Sequence, residues 1–202
     1  MSENETKKDV PLTSIKQLEN IRLNKNFCSI VHTDILSTKQ CEAINKEIVP
    51  ELWSDVSTKD TNIIKNIQRQ PLPMNTDGWP LTYFLAGLKE ADSEKFKFDL
   101  RGFMDNDAPT LWQFPKGSSY DWHVDIGNNF PTRKLSFIVQ LSDPKDYEGG
   151  DVEFLNSKTD KESLRQQGKL IIFPSFITHR MSKVTKGVRH AIVGWVHGPT
   201  FF

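Results

Sequence analysis

The chain has 202 residues, enough for one sizeable hydrophobic core with an elaborated flank. Lysine plus arginine and aspartate plus glutamate both number 26, so the formal net charge is zero. This argues against a general electrostatic grip on nucleic acid or an acidic membrane, although a local basic groove stays open.

Two cysteines, Cys28 and Cys41, are too few for a disulfide framework and read as free thiols in a reducing compartment. No apolar run approaches the roughly 20 residues of a membrane span. The polar start of the chain lacks the apolar stretch of a signal peptide. The expectation is a soluble cytoplasmic protein, of unspecified oligomeric state, without a membrane partner.

Residues 1–14 read as a flexible tail. The rest reads as a single domain, 15–202, that changes character near residue 105. Residues 15–104 carry the helical patterns and form a support region. Ser37 and Gln40 stand at capping-box spacing. Cys41, Ile44, Ile48 and Leu52 then recur at helical spacing, although Pro50 must end or kink that helix. Around Ile63 to Leu72 an extended segment is expected. A second helix is predicted near 80–91, with Pro80 in its first turn and a core-facing stripe of Leu81, Phe84, Leu85 and Leu88.

Residues 105–202 are strand-like. Leu135, Phe137, Val139 and Leu141 alternate with Ser136, Ile138 and Gln140. Gly149-Gly150 marks a turn before a strand at Asp151 to Phe154, Lys169 to Phe173 is an apolar run ending at Pro174, and Val188 to Val196 is a further strand. Asn156 to Glu162 reads as a charged loop at the rim. Short strands without intervening helices predict an all-β core with flanking helices, a jelly roll or barrel rather than a parallel α/β fold.

Three residues in this half suit a metal. His123 and Asp125 lie two apart, so on a strand they project to one face, and His179 can supply a third ligand from another strand. Two histidines and a carboxylate with open positions form the facial triad of non-haem Fe(II) oxygenases. The other histidines read differently. His32 fits surface or turn chemistry, His190 should face away from its neighbour Arg189, and His197 fits a structural role. Arg189, ten residues past His179, shares a strand face with Ala191, Val193 and Trp195. An arginine there needs a partner, either a protein carboxylate or a bound dicarboxylate.

The stretch from Phe114 to Trp195 resembles Fe(II)/2-oxoglutarate-dependent dioxygenases of the prolyl 4-hydroxylase-like group, and within it the PKHD-type hydroxylases. The resemblance rests on an ordered set: GSSYDWHVD, RKLSFIVQLSDPKDYEGGDVEF and GKLIIFPSFITHRMSKVTKGVRHAIVGW. Lys65-Asn66-Ile67-Gln68 is a weaker echo of the segment before the catalytic region.

The resemblance implies a double-stranded β-helix (cupin-like) with helices outside its major sheet. It implies Fe(II) held by His123, Asp125 and His179, the distal carboxylate of 2-oxoglutarate on Arg189, and O2 as the oxidant. One position departs from the pattern: relatives carry a tyrosine nine residues before the first histidine, and this chain has Phe114. Ser136 and Thr178 are candidates for the missing hydroxyl, and Tyr120 is a further candidate in the pocket. Trp112, Trp122, Trp195 and the loop from Gly127 to Phe130 are placed near the mouth. The expected activity is hydroxylation of a C–H bond in a peptidyl substrate, a prolyl residue among the candidates, or in a small molecule. The alternatives are a nucleic-acid demethylase of the same mechanism, disfavoured by the neutral charge, and a non-catalytic cupin-like binding module.

Overall fold

The structure is a computed structural model that describes residues 28–56, 63–75, 77–155 and 157–201, so the expected tail lies outside the described residues. β1 (Val31–Asp34) leads into α1 (Thr38–Lys46). The Ser37–Gln40 capping box is present in both directions. α1 is shorter than its apolar spacing suggests. A proline ring at position 50 collides with the carbonyl four residues back, at Lys46, where the helix ends. Ile48 and Leu52 therefore fall beyond the helix, with Leu52 half exposed in a 3-10 turn, Pro50–Leu52.

Two short strands, β2 (Ser54–Asp55) and β3 (Ile64–Lys65), precede β4 (Gln68–Pro71). The expected extended segment is thus β3 and β4, so the region before residue 105 supplies strands as well as helices. α2 (Leu81–Ala91) buries Phe84 and Leu88, with Leu81 and Leu85 half-buried. It runs into a π-helical turn, Asp92–Phe96, stopped by Lys97 in the left-handed region.

The remaining strands are β5 (Thr110–Pro115), β6 (Ser119–His123), β7 (Arg133–Gln140), β8 (Tyr147–Gly149), β9 (Val152–Phe154), β10 (Lys169–Pro174), β11 (His179–Met181) and β12 (Val184–His197). The segment read as a rim loop carries a short helix, α3 (Lys161–Arg165), capped by Asp160. Every named strand pair is antiparallel. One sheet runs β1-β10-β7-β12-β5-β4-β2, with β8 joined to the first part of β12, and the other runs β3-β6-β11-β9. The two sheets form the double-stranded β-helix. His32 stands exposed on β1, so it is a surface residue on a strand rather than in a turn.

Strand β7 shows why the site sits where it does. All eight of its residues are buried. Leu135, Phe137 and Val139 pack with Cys41 and Ile44 of α1 and Phe84 and Leu88 of α2. Ile138, on the other face, packs between the sheets with Trp112, Phe114, Phe173 and Trp195 opposite Val152, Phe154 and Met181. At about 1.5–3 kcal/mol per fully buried aliphatic or aromatic side chain, this strand outweighs surface ion pairs worth about 0–1 kcal/mol each. Helices therefore cover one face of the major sheet, and the other face is free to line a cavity. The turn at Gly149-Gly150 has positive φ at both residues, and a Cβ on Gly149 would lie 2.0 Å from the Lys183 carbonyl oxygen.

Candidate metal centre

His123 ends β6 and His179 begins β11, and the two face each other directly across the ladder. Their rings lie 4.2 Å apart, centroid to centroid. Asp125 lies just past the end of β6, where its backbone N–H donates to the Ser175 carbonyl at 2.9 Å. The expectation that His123 and Asp125 share a strand face is met in outcome, although the strand itself stops at His123.

One Asp125 oxygen is 3.5 Å from His123 Nε2, and the other is 3.6 Å from His179 Nε2. The ligand atoms of all three residues lie within 4.8 Å of one another. Adjacent ligands at ~2.1 Å from a common ion stand roughly 3 Å apart, so a small inward adjustment suits a metal.

The second nitrogens settle which atoms are available. His123 Nδ1 meets the Asp121 carbonyl at 2.7 Å and His179 Nδ1 meets the Ile177 carbonyl at 3.0 Å. A carbonyl only accepts, so each Nδ1 carries the proton and each Nε2 keeps its lone pair. The Ser136 hydroxyl donates to Asp125 Oδ2 at 2.6 Å and has the Ser175 hydroxyl 3.0 Å away. Burial alone would raise the Asp125 pKa, but His179, His123 and Ser136 hold it well below the usual carboxylate range. Burial pushes the His179 pKa down, against the pull of Asp125. The site thus offers an ionised Asp125 carboxylate and the Nε2 atoms of two histidines whose Nδ1 atoms are engaged by backbone carbonyls. This donor set fits Fe(II).

Tyr120 stacks flush on His123, with ring centroids 3.5 Å apart and planes within 4°. Burial raises its pKa, and Asp125 raises it further, so the phenol stays protonated. Tyr120, Ser136, Phe114, Trp112, Trp195 and Arg189 line the same cavity as the three ligands. Thr178 does not line it, and Trp122 lies outside, half-exposed beneath the Arg180 guanidinium.

Arg189 is 1% exposed. Among the described residues no carboxylate pairs with it. Instead, Gln140 Oε1 accepts from its Nε at 3.1 Å and from Nη2 at 2.9 Å, and Met181 Sδ lies 3.1 Å from Nη1. Its carbon stands 4.7 Å from the centre of the Phe114 ring. Of the two partners expected from the sequence, a protein carboxylate is therefore not the one found.

Sequence reasoning missed two supports. Gln140 was legible only as an alternating residue, yet it shares a strand face with Ser136, and that periodicity was the available signal. The other support is Asp107, which binds Arg133 through two 2.6 Å bonds and lies 3.2 Å from His197 Nε2. Arg133 also donates to the Asp125 carbonyl at 3.2 Å, and its guanidinium lies over the rings of Trp195 and Phe130. His197, read as structural, is a buried member of this cluster.

His190 points the other way from Arg189, as expected, and stacks on Trp53 with planes 5° apart. Burial, then the Arg189 charge, push its pKa from 6.5 down to about 4. The unfolded chain therefore takes up this proton before the folded one does. Stability is expected to fall by up to about 3 kcal/mol as pH drops from 6.5 to 4. Melting curves across that window should show a shallower decline for His190→Gln than for the parent. Parallel slopes would contradict the assignment.

Residues 109–197 match the 2OG-Fe(II) oxygenase superfamily. The chain is 37% identical over 87 residues to a PKHD-type hydroxylase of Gloeothece citriformis, covering 42% of this chain and 40% of that protein. It is 41% identical over 83 residues to one from a Synechococcus strain, covering 40% and 36%. The matched segment thus spans less than half the length of these relatives. Among solved structures, a Pseudomonas putida prolyl-4-hydroxylase superposes with a TM-score of 0.65 at 16% identity, covering 85% of this chain and 94% of that one. A Trichoplax adhaerens prolyl hydroxylase, solved with a peptide fragment of hypoxia inducible factor, gives 0.63 at 16%, covering 92% and 94%. These structures share the fold. The segment that matches the superfamily, residues 109–197, holds all three candidate ligands together with Ser136 and Arg189.

Proposed function

We propose that this protein is an Fe(II)- and 2-oxoglutarate-dependent hydroxylase acting on a peptidyl or small-molecule C–H bond. The observation that carries the reading is one cavity holding both an inward-facing His-Asp-His set and a buried arginine with no carboxylate partner among the described residues.

His123, Asp125 and His179 hold the metal, and Ser136 orients the Asp125 carboxylate. Arg189 binds the distal carboxylate of 2-oxoglutarate. Tyr120 keeps the His123 ring in place and offers its protonated hydroxyl to the pocket. Trp112, Phe114 and Trp195 exclude water. Bound iron, with 2-oxoglutarate and O2, supplies the oxidising chemistry that turns C–H into C–OH and releases succinate and carbon dioxide.

The peptide held by the Trichoplax neighbour supports a peptidyl substrate. The two free cysteines and the neutral charge support a cytoplasmic location without general nucleic-acid binding. Among the described residues no helix is long and apolar enough to cross a membrane.

Succinate release in air from purified protein with Fe(II), 2-oxoglutarate and a host peptide pool should accompany a one-oxygen mass gain on specific peptides. The small-molecule arm uses a metabolite pool. An anaerobic Fe(II)–2-oxoglutarate mixture without a visible charge-transfer band, together with no succinate from either pool, would refute the proposal.

A further inference from the structure

The cage around Arg189 is built from neutral groups. Gln140 accepts two of its hydrogen bonds, Met181 offers a thioether sulfur and Phe114 a ring face. Tyr147 faces Gly187 across the β8–β12 ladder, two residues from Arg189. It is therefore a diagonal neighbour on the same strand face. Its hydroxyl is buried and makes no hydrogen bond of normal geometry, yet it lies close enough to favour the guanidinium's charge. The charged groups that also act on Arg189, Arg165 and Asp151, are paired with each other at 2.6 Å.

Burying a guanidinium is costly, and a carboxylate is the usual compensation. Gln140 puts an amide oxygen where the one-atom-different glutamate would put a carboxylate. That amide is fixed by the fold, because its Nε2 donates to the Leu164 carbonyl at 3.0 Å. The amide dipole sets the orientation of the guanidinium and cancels none of its charge.

We propose that Gln140 determines co-substrate specificity: by holding Arg189 through a neutral amide it reserves the full positive charge for the distal carboxylate of a 2-oxo dicarboxylic acid. A negative charge at this position would satisfy Arg189 internally and turn the pocket toward 2-oxo monocarboxylic acids. This rests on the reading of Arg189 as the co-substrate anchor.

The test compares binding of 2-oxoglutarate and 2-oxovalerate, which has the same chain length but a methyl in place of the distal carboxylate. Both are titrated anaerobically into Fe(II)-loaded protein and followed by visible absorbance, so no turnover is needed. The parent should prefer 2-oxoglutarate by about 100-fold, the upper range for a charge-assisted buried contact. Gln140→Glu should bring the ratio to within about threefold of one, chiefly by weakening 2-oxoglutarate. A retained preference overturns the proposal.

Should Gln140→Glu not melt cooperatively, Gln140→Met serves, since it keeps Arg189 charged. Its preference should stay within about tenfold of the parent's. A collapse to unity there would show that the amide acts directly rather than by its neutrality, which also overturns the proposal. Arg189→Met separates the two levels. If it leaves the ratio unchanged, the anchor reading fails and this inference with it. If it abolishes the preference while Gln140→Glu retains it, this inference alone fails.

Discussion

His179→Ala is expected to abolish Fe(II) binding at micromolar concentrations, and with it the visible band on adding 2-oxoglutarate and all succinate formation. Loss of a group that merely orients a ligand costs about 10–100-fold in metal affinity, so loss of the ligand itself should exceed that. The two remaining donors, His123 and Asp125, follow one another within three residues and cannot enclose an ion from opposite strands. The fold should survive. His179 sits among aromatic rings, with Phe173 at 4.6 Å and Phe154 at 6.1 Å, and truncation leaves a small void beside a cavity that already exists. The measurement is an anaerobic Fe(II) titration alongside a melting curve. Trp122→Ala, outside the cavity, is the comparison and should bind iron normally. Unchanged iron affinity in His179→Ala would overturn the assignment of this ligand.

Asp107→Ala is expected to be the most destabilising single change among the site's supports. It strands the Arg133 guanidinium, which is 8% exposed and donates two 2.6 Å bonds to Asp107. Removing one partner of a buried ion pair costs about 3–5 kcal/mol, because the charge left behind has neither water nor counter-ion. For a chain of this size that is a fall of roughly 10 °C in Tm. The loss should reach the metal as well, since Arg133 holds the Asp125 carbonyl at 3.2 Å. Asp107→Asn, which keeps one of the two acceptor oxygens and no charge, should lie between the variant and the parent. Calorimetry with a parallel iron titration reads both effects. A Tm within a few degrees of the parent's would contradict this account.

The three candidate ligands that the fold brings together, the place of Arg189 on their cavity and the strand character of the second half were legible in the sequence for one reason. Each belongs to a local pattern: a two-residue spacing, a strict alternation, or an ordered run of motifs. The capping box at Ser37 was legible on the same terms, and only the length of its helix was overestimated, where apolar spacing was given more weight than Pro50.

What escaped is what local patterns do not encode. Strands β2 and β3 have two residues each, too few to show a period. The bonds that Arg189 donates to Gln140 and Arg133 donates to Asp107 span 49 and 26 residues, so no window of sequence contains both partners with a recognisable spacing. Ser136 was expected to touch the co-substrate. Its hydroxyl donates to Asp125.

The two-faced burial of β7 has a consequence for how this protein fails. Leu135, Phe137 and Val139 belong to the helix-backed core, while Ser136 and Gln140, on the alternate face, support Asp125 and Arg189. Because side chains alternate with a period of two, a slip of one residue against β10 or β12 would exchange the two sets completely. Serine and glutamine would enter the core just as the ligand supports vanished from the cavity. A stably folded but inactive register isomer is therefore not available to this sequence. Errors in pairing should surface as protease-sensitive chains rather than as compact protein without activity, so soluble yield and the fraction of competent sites should rise and fall together.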